Sequence, residues 1–184
     1  LRLQALLMLQ RNREAEDAAS VLIDKSPVDA NALYWRGKAR FNQKNFAGAI
    51  DDLDRSIAIA PGFAYAYYVR GISHQMLEQL EPARLDAESA TRRDPTLCEA
   101  WRLRALGSAE PTEKVAHYTK ALATCPPGDE AALLQKRSTA HLGLKNLVEA
   151  MKDIDDAIQR APGDAELHYQ RCVVAWQGQN REGA

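Results

Sequence analysis

Cysteine, bulky aromatic residues and an excess of either charge are all scarce in this sequence. Among 184 residues there are three cysteines, Cys98, Cys125 and Cys172, an odd number at wide spacing. That spacing fits neither a disulfide-dense secreted scaffold nor a CxxC metal site, so the cysteines are read as reduced thiols, which favours a cytoplasmic location. Lys plus Arg (24) nearly cancel Asp plus Glu (25), and the net charge of −1 supplies no chain-wide attraction for nucleic acid or an anionic membrane. No apolar run approaches the ~20 residues that cross a bilayer, and no leader of basic, apolar and small residues opens the chain. Starting at Leu1, it is expected to be a fragment. Val and Ile number 14 together, against 31 Ala and 21 Leu, and that balance favours an all-α fold.

What the sequence does have is a period. Pro27, Pro61, Pro95, Pro126 and Pro162 follow one another at intervals of 34, 34, 31 and 36 residues. Each closes an alanine-rich amphipathic stretch, where the missing N–H and the ring forbid further helix. Aligned on these prolines, the segments share an arginine column of Arg36, Arg70, Arg104, Arg137 and Arg171. A column of small residues follows it: Gly37, Gly71, Ala105, Ser138 and Cys172. Small side chains recur again at Ala49, Ala83 and Ala150, and at Ser56, Ala90, Ala121 and Ala157, as close helix crossings require. First helices are expected near 1–10, 30–42, 64–76, 98–108, 130–143 and 165–178, and second helices near 13–25, 46–59, 80–93, 112–124 and 147–160. A 13-residue helix is only ~20 Å long and marginal alone, so each hairpin must lean on its neighbours.

The pattern resembles the tetratricopeptide repeat, most clearly in Ala-Leu-Tyr-Trp-Arg-Gly at 32–37 with Phe46, Ala49 and Pro61, and in Ala-Tyr-Tyr-Val-Arg-Gly at 66–71 with Ala83, Ala90 and Pro95. The resemblance implies an all-α superhelical solenoid of antiparallel helix pairs whose first helices line a concave groove. The whole chain reads as one array: a partial repeat at 1–29, repeats at 30–63 and 64–97, a shortened repeat at 98–127, a lengthened one at 128–163 and a partial one at 164–184. The shortened repeat, with Gly107 and Pro111, is a candidate hinge. Neither end looks like a polar cap, so further repeats, another domain or a partner is expected to cover them.

The arginine column could grip an anionic partner, but Asp52, Asp86 and Asp153 each stand sixteen residues after Arg36, Arg70 and Arg137, which points to a pair inside each hairpin. Arg104 meets His117 instead, and Arg171 lacks a second helix, leaving these two as candidates for free cations. The acidic runs Asp51, Asp52, Asp54 and Asp153, Asp155, Asp156 lie in expected helices without a calcium loop, and His74, His117, His141 and His168 are isolated in sequence, so no metal or other cofactor is expected. The motifs GxSxG, GxxxxGK[ST], HExxH and a dinucleotide-binding glycine turn are absent, so no enzyme activity is expected.

The family's groove positions fall here on Asn31, Tyr34, Trp35 and Lys38, then Tyr65, Tyr68 and Ile72, then Arg102, and then Tyr169. Tyr34, Lys38, Tyr68 and Arg102 are expected to be the exposed ones. Aromatic and arginine side chains give large contact area at modest entropic cost, which suits a protein or peptide partner. The co-chaperone clamp for the terminal carboxylate of heat-shock chaperones is not reproduced, because Lys38 and Val69 stand at its asparagine positions and Tyr34 at its first lysine position. The Tyr-x-Arg-Gly units also resemble the arrays of DnaJ-type co-chaperones, though no His-Pro-Asp triplet is present. The function implied is a non-catalytic protein-interaction scaffold, in chaperone work or complex assembly. Self-association through uncapped ends, or service as the accessory arm of an enzyme, is the alternative.

Overall fold

The computed structural model describes the backbone of residues 2–182 and side chains through residue 178. Among the described residues there are eleven helices and no strand. They are α1 (Arg2–Met8), α2 (Asn12–Lys25), α3 (Ala30–Asn42), α4 (Phe46–Ile59), α5 (Ala64–Met76), α6 (Leu80–Arg93), α7 (Cys98–Gly107), α8 (Pro111–Thr124), α9 (Glu130–Gly143), α10 (Leu147–Arg160) and α11 (Ala165–Glu182). The alanine-rich composition and the proline stops place nearly every boundary within two residues of expectation. Side-chain caps sharpen some starts: Asp29 accepts from the Ala32 N–H at 3.0 Å, and Asn45 from that of Gly48 at 3.0 Å.

Hairpins are joined by three-residue turns with a common device. Gln10, Lys44, Glu78 and Lys145 adopt φ between 58 and 64°, each in the turn between the first and second helix of a pair. The residue after each donates its N–H back five residues, as in Asn45 to Arg40 and Gln79 to His74, both at 2.9 Å. The α7–α8 hairpin departs from this. Its turn at 108–110 has extended backbone at both ends, and α7 has ten residues where α3 and α5 have thirteen. The three residues missing from the shortened repeat are therefore one turn of α7.

The chain divides into two compact units, Leu1–Pro95 and Thr96–Ala184. Within each, the core is a series of small clusters, one per junction, and not a single centre. In the first unit Tyr34, Ala49, Leu53, Ala66 and Val69 form one cluster, and Leu7, Ala15 and Ala39 another. In the second unit Ala105, Tyr118, Ala121 and Leu133 form one, and Leu134, Ala150, Ile154, Ala157, Leu167 and Val174 the next. The small columns sit where helices cross. A Cβ on Gly37 would fall 2.9 Å from Leu53 Cγ and 3.2 Å from the Ala49 carbonyl, so only glycine lets α3 approach α4 so closely.

The expectation for the cysteines is overturned. Cys98 and Cys125, read as reduced thiols, are joined by a disulfide with their Cα atoms 4.9 Å apart. Cys98 opens α7 and Cys125 caps the end of α8, so the antiparallel hairpin brings together two residues 27 apart in sequence. Cys172 is a free, exposed thiol.

Candidate functional site

The arginine column is a set of clamps inside the hairpins. Arg36 donates from Nε and Nη2 to Asp52 at 2.9 and 2.6 Å, Arg70 to Asp86 at 2.9 and 2.6 Å, and Arg137 to Asp153 at 2.8 and 2.6 Å. The three aspartates are buried, and the two parallel N–H donations suit a carboxylate better than any single contact. Burial works against the charge of Arg70, but Asp86 and Asp54 outweigh it and raise its pKa. Hydrogen bonds donated to Asp52 and to Asp153 raise those of Arg36 and Arg137. These arginines are spent on the fold. Of the two left as candidate free cations, Arg171 is corrected: its Nε donates to Asp155 at 2.5 Å. Arg104 stacks its guanidinium 5.4 Å from the Trp101 ring centre.

The outward faces of the first helices remain. On α3, a helical wheel gathers Asn31, Trp35, Lys38 and Asn42 into one stripe, because steps of three and four residues return to the same side. Gly37 faces α4 from the opposite side. Asn31 is exposed; Trp35 and Lys38 are half-buried, with the Lys38 ammonium 5.8 Å from the Trp35 ring centre and 6.0 Å from that of Tyr34. On α5, Tyr65, Tyr68, Ile72 and Met76 make the matching stripe. Tyr65 and Met76 are exposed, and Tyr68 and Ile72 are half-buried. α3 and α5 touch directly, so the two stripes are neighbours in the first unit.

Tyr34 is a correction. Expected to be exposed, it is 3% accessible and packs edge-on to Trp35, with ring centres 4.9 Å apart, and against Phe63 at 4.7 Å. A shift of one residue from the stripe turns a helical side chain by about 100°, which carries this ring into the junction with the next hairpin. In the second unit Arg102 is exposed on α7 and pairs with Asp129 at 3.0 Å; Tyr169 and Trp176 are exposed on α11. A cleft of about 310 Å³ lies beside the shortened α7, lined by Leu106, Pro111, Tyr118, Lys114, Lys136 and Thr139 among others.

Among the described residues the metal-ligand types that converge are neither the histidines nor the acidic runs singled out in the sequence. The sulfurs of Cys98 and Cys125 and a carboxylate oxygen of Asp129 all lie within 4.8 Å of one another. The four histidines stand apart. His74 and His141 each approach a clamp aspartate at 3.8 Å, His117 bonds Ser108 at 3.0 Å, and His168 bonds the Pro162 carbonyl at 2.9 Å. The cysteine grouping was legible in one respect: both cysteines flank helices of one hairpin at the same end.

The serial clusters, the small columns and the helix pairs now meet a direct comparison. A family model described as tetratricopeptide repeat matches residues 1–64. Over those residues the chain is similar to the tetratricopeptide-repeat family. Fold comparison extends the repeat reading along the chain. A crystal structure of a Cytophaga hutchinsonii repeat protein superposes with a TM-score of 0.79 at 12% identity, covering 98% of this chain and 71% of that one. A thermophilic protein of Thermus thermophilus gives 0.66 at 21% identity, with 95% of each chain covered. The protein YrrB, described as having an unusual peptide-binding site, gives 0.72 at 16% identity over 90% of this chain and 85% of that one. In sequence, protein FlbA of Caulobacter vibrioides is 26% identical over 179 residues, which is 97% of this chain but 25% of that protein. The chain thus spans about a quarter of that relative's length. Tetratricopeptide repeats build protein-interaction scaffolds, and no described helix is long and apolar enough to cross a membrane.

Proposed function

We propose that this chain is a non-catalytic scaffold that binds an extended or helical segment of a partner protein on the outward stripes of its first helices. The observation that carries this reading is the paired stripe of the first unit: Trp35 and Lys38 on α3 beside Tyr65, Tyr68, Ile72 and Met76 on α5. It offers aromatic and aliphatic area with one cation, while the other faces of these helices are consumed by packing. In the second unit Arg102 and Tyr169 are the proposed contacts, and the cleft beside α7 offers an apolar recess for an anchoring side chain. Tyr34 acts from beneath, by holding Trp35. A chaperone or assembly role is one use of such a surface. The expectation of a cytoplasmic location rested on reduced cysteines, and the Cys98–Cys125 bridge removes that support; the scaffold role is the same in either setting.

Peptides selected from a displayed library against the whole chain test the reading. Tyr65→Ala and Tyr68→Ala should each weaken a selected peptide by about tenfold or more, whereas Asp51→Ala on α4 leaves binding unchanged. Intact binding in both tyrosine variants would overturn the assignment of the surface. A second reading, self-association, is favoured by one patch: Val21 and Leu22 on α2 are 53% and 41% exposed, and Met8 and Leu9 are 75% and 66% exposed. Light scattering across protein concentration separates the two, since an α2-mediated oligomer dissociates on Val21→Asp and a monomer shows no concentration dependence.

A further inference from the structure

The hairpins are not all fastened alike. In α3–α4, α5–α6 and α9–α10 a buried aspartate receives two N–H donations from the arginine sixteen residues before it. In α7–α8 the residue sixteen after Arg104 is Lys120, and the one facing Arg104 after allowance for the missing turn is His117. The burial of His117 and the Arg104 charge both hold its imidazole below the ordinary pKa, so it cannot stand in for a carboxylate. This same hairpin carries the disulfide. The bridge closes the end opposite the turn, tying the first residue of α7 to the cap of α8. Around it, Asp129 lies near both sulfurs and pairs with Arg102, one turn beyond Cys98.

We infer that Cys98 and Cys125 form a reversible thiol–disulfide site, which fastens the α7–α8 hairpin covalently where its neighbours are fastened by guanidinium and carboxylate. The reacting class is a small-molecule disulfide in one direction and a small dithiol in the other. Cys125, half-buried, is the accessible partner, and Cys98 is buried. On oxidation, the Cys125 thiolate attacks one sulfur of the small disulfide, forms a mixed disulfide and expels one thiolate. Cys98, as its thiolate, then attacks the Cys125 sulfur and expels the second. The protein loses two electrons and two protons, and the small disulfide leaves as two thiols. Reduction by a dithiol runs the same steps backward. With the bridge open, the ten-residue α7 loses its covalent tie to the end of α8, and the Arg102–Asp129 pair loses the tie that holds its two elements in register. The inference does not depend on the proposed binding role.

The full chain, equilibrated in buffers of oxidised and reduced dithiothreitol at set ratios, tests it by alkylation with mass detection and by amide exchange. One alkylated thiol, Cys172, is expected in the oxidised form and three in the reduced form. Exchange across 98–124 should accelerate about tenfold or more on reduction, while that of α3–α6 changes less than about twofold. The Cys98→Ser, Cys125→Ser double variant should behave as the reduced chain and ignore the buffer. His117→Asp, which supplies a carboxylate opposite Arg104, should cut the acceleration at least about threefold in the otherwise intact chain. Three alkylatable thiols at every buffer ratio, or equal exchange in the two forms, would overturn the inference. So would stoichiometric zinc held by the reduced chain and lost in Asp129→Ala, which would make the grouping a metal centre.

Discussion

The α5–α6 and α7–α8 hairpins share one plan and differ in how they are held. In α5–α6, Arg70 is bound by the buried Asp86 and also by Asp54 at 2.6 Å, and the turn uses Glu78 at φ 59°. In α7–α8 the first helix is a turn shorter, the connection is extended, histidine replaces the clamp acid, and a disulfide closes the far end. The difference teaches that the repeat requires two helices at a given separation and is indifferent to the chemistry that keeps them there. Small residues at the crossing, Gly71 in one and Ala105 in the other, are common to both because steric approach has no chemical substitute.

The largest expected effect breaks the clamp. Asp86→Ala strips the part-buried Arg70 of its buried partner, with Asp54 as its remaining acid, and should destabilise α5–α6 by about 3 kcal/mol, measured as faster amide exchange in that hairpin. A smaller effect comes from the turns. Glu78→Gly relieves a left-handed backbone and should stabilise α5–α6 by about 0.5–1 kcal/mol in urea unfolding. In the α7–α8 connection, where no described residue has positive φ, Ala109→Gly should do the reverse by a similar amount, through chain entropy.

Acidification sharpens the contrast further. Because His117 binds its proton less readily folded than unfolded, the stability it contributes is complete above the ordinary histidine value of 6.5 and is lost as pH falls below it toward the depressed folded value. The protection of α7–α8 amides, corrected for the intrinsic pH dependence of exchange, should therefore fall between pH 7.5 and 5, and His117→Gln should remove that component. The smallest effect lies on the surface of α6. Arg92→Ala breaks an exposed pair with Glu88 at 2.6 Å and should change stability by less than about 0.5 kcal/mol.

Most of the framework was legible in advance, for reasons that particular residues make plain. Proline stops and alanine-rich faces act locally, so α3, α4, α5 and α6 begin and end where the pattern says. The sixteen-residue interval from Arg36 to Asp52 is a hairpin distance, readable once the period is known. The pairing of Arg171, expected to be a free cation, was not legible because its partner, Asp155, comes from the preceding hairpin and not from its own. Tyr34 was misplaced because family position names a face only coarsely, and the neighbouring α5 claims that ring for the junction. Cys98 and Cys125 were judged by their spacing along the chain, although the relevant distance runs across a hairpin.

By itself the sequence determined where helices start and stop, how they pair, and which small residues mark their crossings, since all of these depend on neighbours within about one repeat. Only the tertiary structure decided which side chains reach the surface, which arginine meets which acid across repeats, and that two distant cysteines meet. The first two outcomes turn on how one hairpin seats on the next, where a hundred degrees of helix rotation separates a buried ring from an exposed one, and the third on the antiparallel return of α8 along α7.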